Sequence, residues 1–244
     1  MSWERLYARQ EYMTPAAAQT VEIVSETCRP TAGSRILDVA SGKGEAACVL
    51  AERHGCRVLC VDVYWPFLGH ASSKVQGRGL EDRISVVCAD GTYLPVPSSS
   101  FDVGCCIGGP SIVGIEPCLG ELSRAVRSGG WVIVSDILWR AKPEGPLGPE
   151  WGSVADIDPR LSQSEYVAAM SALGLQVTSV VVHDDRYWEA YLRPMLEVIE
   201  HTRQSSQDDP EALAWADEME TDIEVERRAV AKYLDYATIV ARKV

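Results

Sequence analysis

The chemistry-bearing residues of this chain gather in one short stretch, Leu37-Asp38-Val39-Ala40-Ser41-Gly42-Lys43-Gly44-Glu45. There an apolar run breaks into a glycine-containing turn, and an alanine-rich segment follows. Small residues let the backbone approach a ligand closely, and the amides that open a helix favour a negative group. Asp38 sets a carboxylate at the mouth of the turn, suited to an ammonium. Two more acids close later apolar runs: Asp62 ends Cys60-Val61-Asp62, and Asp90 ends Cys88-Ala89-Asp90 just before Gly91, ready to accept from an exocyclic amine. The turn alone is ambiguous, because Gly42-x-Gly44-x-x-Ala47 also fits a dinucleotide fingerprint with Asp62 as its ribose acid. A carboxylate four residues before Gly42 has no use beside a pyrophosphate, however, and no Tyr-x-x-x-Lys pair occurs. A nucleoside methyl donor suits these acids better. Nicotinamide-dependent oxidation and a non-catalytic, donor-sensing protein stay open as alternatives.

The elements that must position these residues alternate. The sequence predicts a helix from Pro15 to Cys28 with Thr14 as its N-cap, a strand at Arg35–Val39, and a helix at Glu45–His54. A strand at Arg57–Asp62, a helix to about Lys74, and strands at Arg83–Cys88 and Phe101–Ile107 follow. Ile115–Arg127 reads as a helix and Trp131–Ile137 as a fifth strand. Near-continuous apolar strands between helices imply a parallel sheet covered on both faces, a doubly wound α/β fold. Trp139–Leu161, rich in Pro, Gly and Trp, reads as a long loop of the kind that serves as a lid. Ser162-Gln163-Ser164-Glu165 reads as a capping box opening a helix that ends near Gly174. Leu175–Val182 is a sixth strand, residues 185–230 are mostly helical, and Tyr233–Ala241 is the last strand. The acidic stretch between Arg203 and Arg227, with Leu213, Ala216, Met219 and Ile223 near helical spacing, reads as a solvated helix with one packed face. The whole is expected to form one domain: N-terminal helices over 1–34, a cofactor-binding core over 35–137, and the lid, last strands and helical insertion over 138–244.

Bulk composition narrows the partners. With 244 residues and 46 % hydrophobic content the chain can bury a sizeable core. A formal net charge of −12 without a Lys/Arg cluster argues against nucleic acid and against an anionic membrane. No stretch approaches the roughly 18 apolar residues of a membrane span, and the first residues lack the apolar core of a secretion signal; a cytoplasmic protein is expected. All eight cysteines fall between Cys28 and Cys118 without a Cys-x-x-Cys pair. They read as small buried residues, and no metal site is expected.

Taken in order, these segments resemble the core of class I S-adenosylmethionine-dependent methyltransferases. Asp38, Gly42 and Gly44 are similar to that family's glycine-rich first motif, with Ala40 in place of its first glycine. Asp62, with Val63 beside it, resembles the acid that takes the ribose hydroxyls. Asp90 and Gly91 resemble the adenine-binding segment, and Cys106 and Ile107 the end of the fourth strand that flanks the sulfonium. Arg127-Ser128-Gly129-Gly130-Trp131 resembles the turn into strand five. The likeness extends to small-molecule methyltransferases of the UbiE-like type. It implies S-adenosyl-L-methionine as cofactor, S-adenosyl-L-homocysteine as product, and a mostly parallel seven-stranded sheet whose last strand runs antiparallel. It also implies transfer to an O, N or S atom, less readily to carbon, of a small molecule. Lys43 stands where a small or neutral residue is common and reads as a solvated lysine.

On the acceptor side the candidates are Tyr12 and Met13 ahead of the first long helix, Trp139 and Arg140 after strand five, and Tyr187 with Trp188. His183, followed by Asp184 and Asp185, is the candidate base, although a lone histidine at a strand end is more often a surface or structural residue. No Asn-Pro-Pro-Tyr or Asp-Pro-Pro-Tyr occurs, which sets aside amino-methylation of nucleic-acid bases. The adjacent Cys105 and Cys106 admit a narrower idea, a thiophilic acceptor beside the methyl group.

Overall fold

The computed structural model describes residues 3–145, 147–148, 151 and 161–244. Seven strands form one sheet in the order β3-β2-β1-β4-β5-β7-β6, with β1 Arg35–Val39, β2 Arg57–Asp62, β3 Ile84–Cys88, β4 Phe101–Ile107, β5 Val126–Trp139, β6 Leu175–His183 and β7 Leu234–Lys243. The neighbours from β3 to β5 pair in parallel, whereas β7 lies antiparallel between β5 and β6. This is the sheet the sequence implied, with the last strand inserted beside strand six.

Period-2 alternation splits the core between two faces. Leu37 and Val39 of β1 join Cys106, Val132 and Val134 on one side, beneath α6 (Ile115–Ala125) and α7 (Gln163–Ala172). Ile36, Val58, Cys60, Val103, Cys105 and Ile133 pack on the other side under α2 (Ala17–Cys28), α3 (Glu45–His54) and α4 (Trp65–Gly77). The adjacent Cys105 and Cys106 therefore point to opposite faces, and burial pushes both thiols well above the ordinary cysteine range. They cannot converge on one thiophilic acceptor.

α3 runs over the residues expected of it. Gly44 in the left-handed conformation precedes it and Gly55, also left-handed, closes it. The Ser162 capping box is formed in both directions: the Ser162 hydroxyl accepts from Glu165 N–H while the Glu165 carboxylate accepts from Ser162 N–H at 2.8 Å. Other element ends move by one to three residues, and two boundary differences have a visible cause. α2 starts at Ala17 and Thr14 is not its cap, because the Thr14 hydroxyl is spent on Tyr236 at 2.7 Å. β5 begins at Val126, five residues early, because Val126 pairs with Phe101 across a register shift and Gly130 has no room for a Cβ against Asp102 O.

The insertion between β6 and β7 is two helices, α8 Arg186–Ser205 and α9 Pro210–Tyr233. Ala216, Met219 and Ile223 of α9 pack against Leu192, Met195 and Ile199 of α8, and Leu6 of α1 (Trp3–Leu6) joins them. Leu213 is only half-buried. The first helix thus packs on the insertion. The expected lid begins inside β5, since Trp139 is that strand's last residue; residues 146, 149–150 and 152–160 of it lie outside the described residues.

Losing the cap and losing core volume should separate in magnitude. Ser162→Ala is expected to cost about 1 kcal/mol, and Ile133→Ala, in the fully buried middle of β5, about 2–5 kcal/mol. Urea unfolding followed by circular dichroism checks both.

Candidate active site

In a sheet ordered this way the chain leaves β1 toward one face and β4 toward the other, and ligands bind in the crevice outside the carboxyl ends of two such strands. Three residues of the turn after β1 adopt positive φ: Ala40 at 54°, Gly42 at 52° and Gly44 at 71°. For Ala40 this costs about 1–2 kcal/mol, and its Cβ fills the space that a Cβ on Gly109, after β4, would need. The two turns are in contact. The turn after β3 closes the same crevice, since Gly91 has no room for a Cβ between Val39 and Val113 of α5 (Pro110–Val113).

The three acids sit around this turn in different states. Asp62 is preorganised: its Oδ2 accepts Gly42 N–H and its Oδ1 accepts Tyr64 N–H, both at 2.8 Å. Each oxygen keeps a further lone pair for a ligand hydroxyl. Asp90 is exposed at the next strand end; its Oδ1 accepts from Thr92 N–H and Oγ–H at 2.8 Å, which holds the carboxyl below its usual range. Asp38 is 3 % exposed, and its Oδ2 has no hydrogen-bond partner. Desolvation, then the nearby Asp62, push it up to about 7. A buried acceptor left unpaired costs about 1–3 kcal/mol, so a cation arriving at the turn would find an uncompensated carboxylate.

Residues 7–14 lie across the turn as a strap. Lys43, expected in solvent, is only 7 % exposed, and its ammonium donates to Tyr7 O at 2.6 Å and Gln10 O at 3.1 Å. Met13 lies over Gly42, where a Cβ would meet its Cε at 2.2 Å. Thr14 packs on Gly108, where a Cβ would meet Oγ1 at 2.3 Å, and its hydroxyl bonds Tyr236 OH, which also bonds Ser135 Oγ at 2.8 Å. A second tie runs through Lys74, which bridges Glu11 of the strap and Glu45 of α3. On its far side the strap meets α8: Gln10 Nε2 donates to Tyr191 O at 2.8 Å and the Tyr7 and Tyr191 hydroxyls bond at 3.0 Å.

The sequence candidates divide between this crevice and its surroundings. Val63 is 73 % exposed on the turn after β2. Cys106, next to last in β4, pairs with Val39, but its side chain belongs to the core against Cys118; Ile107, the last residue of β4, pairs with Ser135. Tyr12 is on the strap, half-buried, with its phenol pushed up to about 12 by burial. Four others gather at the β5–β7–β6 end. Trp139 packs edge-on to Trp151. Arg140 is held by Asp235 at 2.7 Å and Asp185 at 3.6 Å, so its charge is already spent. His183 is buried, bonds Thr238 Oγ1 through Nε2 at 2.8 Å, and lies between the rings of Tyr187 and Tyr236. Burial lowers its pKa. Shallow hollows of about 480 and 460 Å³ flank Arg140, and neither touches the glycine turn.

The sequence missed Lys43, Thr14, Tyr236 and Asp136. The last is a buried carboxyl that accepts from Ser111 Oγ at 2.7 Å and Tyr166 OH at 3.0 Å, pushed up to about 6 by desolvation. Their partners lie far away in the chain, and no local pattern announces them. Among the described residues no group of His, Cys, Asp and Glu is arranged to hold a metal ion, and no helix is long and apolar enough to cross a membrane.

Residues 37–134 match the family model described as a methyltransferase domain. The crystal structure of an S-adenosylmethionine-dependent methyltransferase from Thiobacillus denitrificans, bound to S-adenosyl-L-homocysteine, superposes with a TM-score of 0.82 at 20 % identity, covering 99 % of this chain and 98 % of that one. The domain match and the sheet order together support a class I S-adenosylmethionine-dependent methyltransferase. This methyltransferase is also similar to the uncharacterized Escherichia coli K12 protein YjhP, 26 % identical over 72 % of this chain and 71 % of that protein. It is 38 % identical over 48 % of its length to a Thermus thermophilus demethylmenaquinone methyltransferase, of which it spans about half (52 %). The S-adenosylhomocysteine held by the Thiobacillus structure is consistent with S-adenosylmethionine as cofactor, and an unpaired carboxylate at a turn shaped for close approach fits its amino-acid end.

The buried carboxyls set a pH dependence. A folded-state pKa raised above the unfolded value means that the folded methyltransferase binds more protons than the unfolded chain, so stability falls as pH rises between the two. For Asp38 that window runs from about 4 to about 7, and for Asp136 from about 4 to about 6. The ligand-free protein should lose a few kcal/mol across it, at about 1.4 kcal/mol per unit, and Asp38→Asn should flatten the upper part. Urea midpoints at pH 5, 6, 7 and 8 check this.

Proposed function

We propose that this enzyme transfers the methyl group of S-adenosylmethionine to an O, N, S or C atom of a small molecule held between the carboxyl ends of β1 and β4 and the strap. The observation that carries this reading is the glycine turn ringed by three carboxylates in three states. Asp38, unpaired and buried, suits the ammonium; Asp62, fixed by backbone amides, suits the ribose hydroxyls; Asp90, exposed beside Gly91, suits the adenine amine. The backbones of Ala40, Gly42 and Gly44 line the sulfur's approach, with Val63, Cys106 and Ile107 at the neighbouring strand ends. Carbon stands beside the heteroatoms as a target because a similar protein from Allorhizobium ampelinum is named a C-methyltransferase.

The cofactor brings an activated methyl group, so the protein's task is to orient the acceptor in line and exclude water. The strap serves the second need: Met13 lies over Gly42 and Thr14 over Gly108, while Tyr12 packs the strap onto the core beneath α2 and α3. The acceptor side is proposed to run from Thr14 and Gly108 past Tyr236 toward His183 and Tyr187, with Trp139 and Arg140 at its outer end. An acceptor that must lose a proton needs a base within about 3 Å. His183 is the candidate: burial keeps its ring neutral, and the Thr238 bond at Nε2 leaves Nδ1 to take the proton. The net charge of −12 supports a small acceptor over nucleic acid or a membrane surface.

Calorimetric titration with S-adenosylmethionine, S-adenosylhomocysteine and NAD tests the proposal. Both adenosyl compounds should bind and NAD should not, and Asp62→Ala and Asp90→Ala should each weaken binding by roughly tenfold or more. Variants that bind as tightly as the wild type would remove these two acids from the site, and binding of NAD alone would overturn the reading.

A further inference from the structure

Lys43 is a buried cation that lacks a counter-ion. Among the described residues no carboxylate pairs with its ammonium, whose two hydrogen bonds go to the neutral carbonyls of Tyr7 and Gln10. A lysine has three donors, so one N–H is unspent. Taking an ammonium out of water costs several kcal/mol that two carbonyls repay only in part, and burial accordingly lowers the Lys43 pKa. The two acids whose charge reaches Lys43, Glu11 and Glu4, act on it from beyond contact and only partly offset its burial: Glu11 is engaged by Lys74 and Glu4 stands beside His70 at 4.0 Å.

Five residues earlier, on the same strand-turn unit, stands the opposite case, a buried carboxylate whose Oδ2 has no partner. One uncompensated cation and one uncompensated anion thus flank the left-handed turn Ala40–Gly44, both shut from solvent, and no ion pair joins them. A zwitterion meets that description. We propose that Lys43 receives the α-carboxylate of the cofactor's amino-acid end, opposite Asp38 at the α-ammonium, so that the lysine selects adenosyl ligands that carry the carboxylate. Because the same ammonium holds Tyr7 and Gln10, the bound carboxylate would also complete the fastening of the strap over Gly42.

This rests on the cofactor reading above, and the experiment separates the two. Calorimetry compares S-adenosylhomocysteine with S-adenosyl-3-thiopropylamine, which keeps the amine and lacks the carboxylate. Wild-type protein should prefer the first by roughly ten- to a hundredfold, the scale of a charge-assisted hydrogen bond. In Lys43→Met that preference should fall to within a fewfold, and Lys43→Arg should restore most of it. If Lys43 only ties down the strap, Lys43→Met weakens both ligands equally and the preference is unchanged, which overturns the proposal. A wild-type preference near one overturns it without any variant. Wild-type protein that binds neither compound would instead sink the cofactor reading. Thermal midpoints of the ligand-free variants confirm that each is folded.

Discussion

A parallel sheet must send its crossover connections to one face or the other, and where two adjacent strands send theirs in opposite directions the turns part and leave a crevice. In this molecule that happens between β1 and β4, and the rest of the site is a consequence. The turn after β1 takes three left-handed residues to lie flat in the crevice, one of them Ala40 at a cost that glycine would not incur. Gly109 must then be glycine, since any side chain there would collide with Ala40. The bond from Gly42 N–H to Asp62 fixes the turn to the next strand. Backbone shape, rather than a catalytic side chain, is what the core supplies.

The crevice alone is open to water, and the elements outside the core close it. Residues 7–14 can lie over the turn only if something anchors them on both sides. Lys43 and the Glu45–Lys74–Glu11 chain do so from the core; Tyr191 does so from α8. This gives the insertion between β6 and β7 a structural reason. Its two helices bury Leu6 and Trp215 with one another, and the first helix rests on them, so the strap is stretched between insertion and core. A substitution in α8 can therefore alter the cofactor crevice without touching it.

How much of this was legible depended on the range of the interaction. β1, β2, β4 and α3 occupy the residues expected of them, because each is an apolar run or face bounded by its own turn residues, and such signals are complete within about ten positions. The acids Asp38, Asp62 and Asp90 were legible for the same reason, as carboxylates ending apolar strands. The sequence failed where the deciding partner lies far off. Thr14 ahead of a proline looks like a helix cap, and only β7, more than two hundred residues later, supplies the Tyr236 hydroxyl that claims it. Lys43 looks like a solvated lysine until the strap folds back over it. Cys105 and Cys106 look like a pair, yet in a strand neighbours face opposite ways, a period-2 consequence that sequence adjacency conceals.

The charges at the turn also explain why such a site tolerates its own expense. Burying Asp38 without a partner and Lys43 without a counter-ion destabilises the ligand-free fold, and a protein selected for stability alone would replace both with apolar residues. On the proposed reading each charge is compensated only when a zwitterion is bound, so free energy withheld from folding reappears as affinity and selectivity. By linkage, a ligand that binds only the folded form stabilises it in proportion to the logarithm of one plus the ratio of its free concentration to Kd, and the groups that weaken the empty enzyme are the ones through which that stabilisation acts. The strap shares this logic. Its core-side anchor at Lys43 is the ammonium to which the ligand carboxylate is assigned, so the ordering of residues 7–14 and the occupancy of the crevice draw on one interaction and need no separate signal to coordinate them.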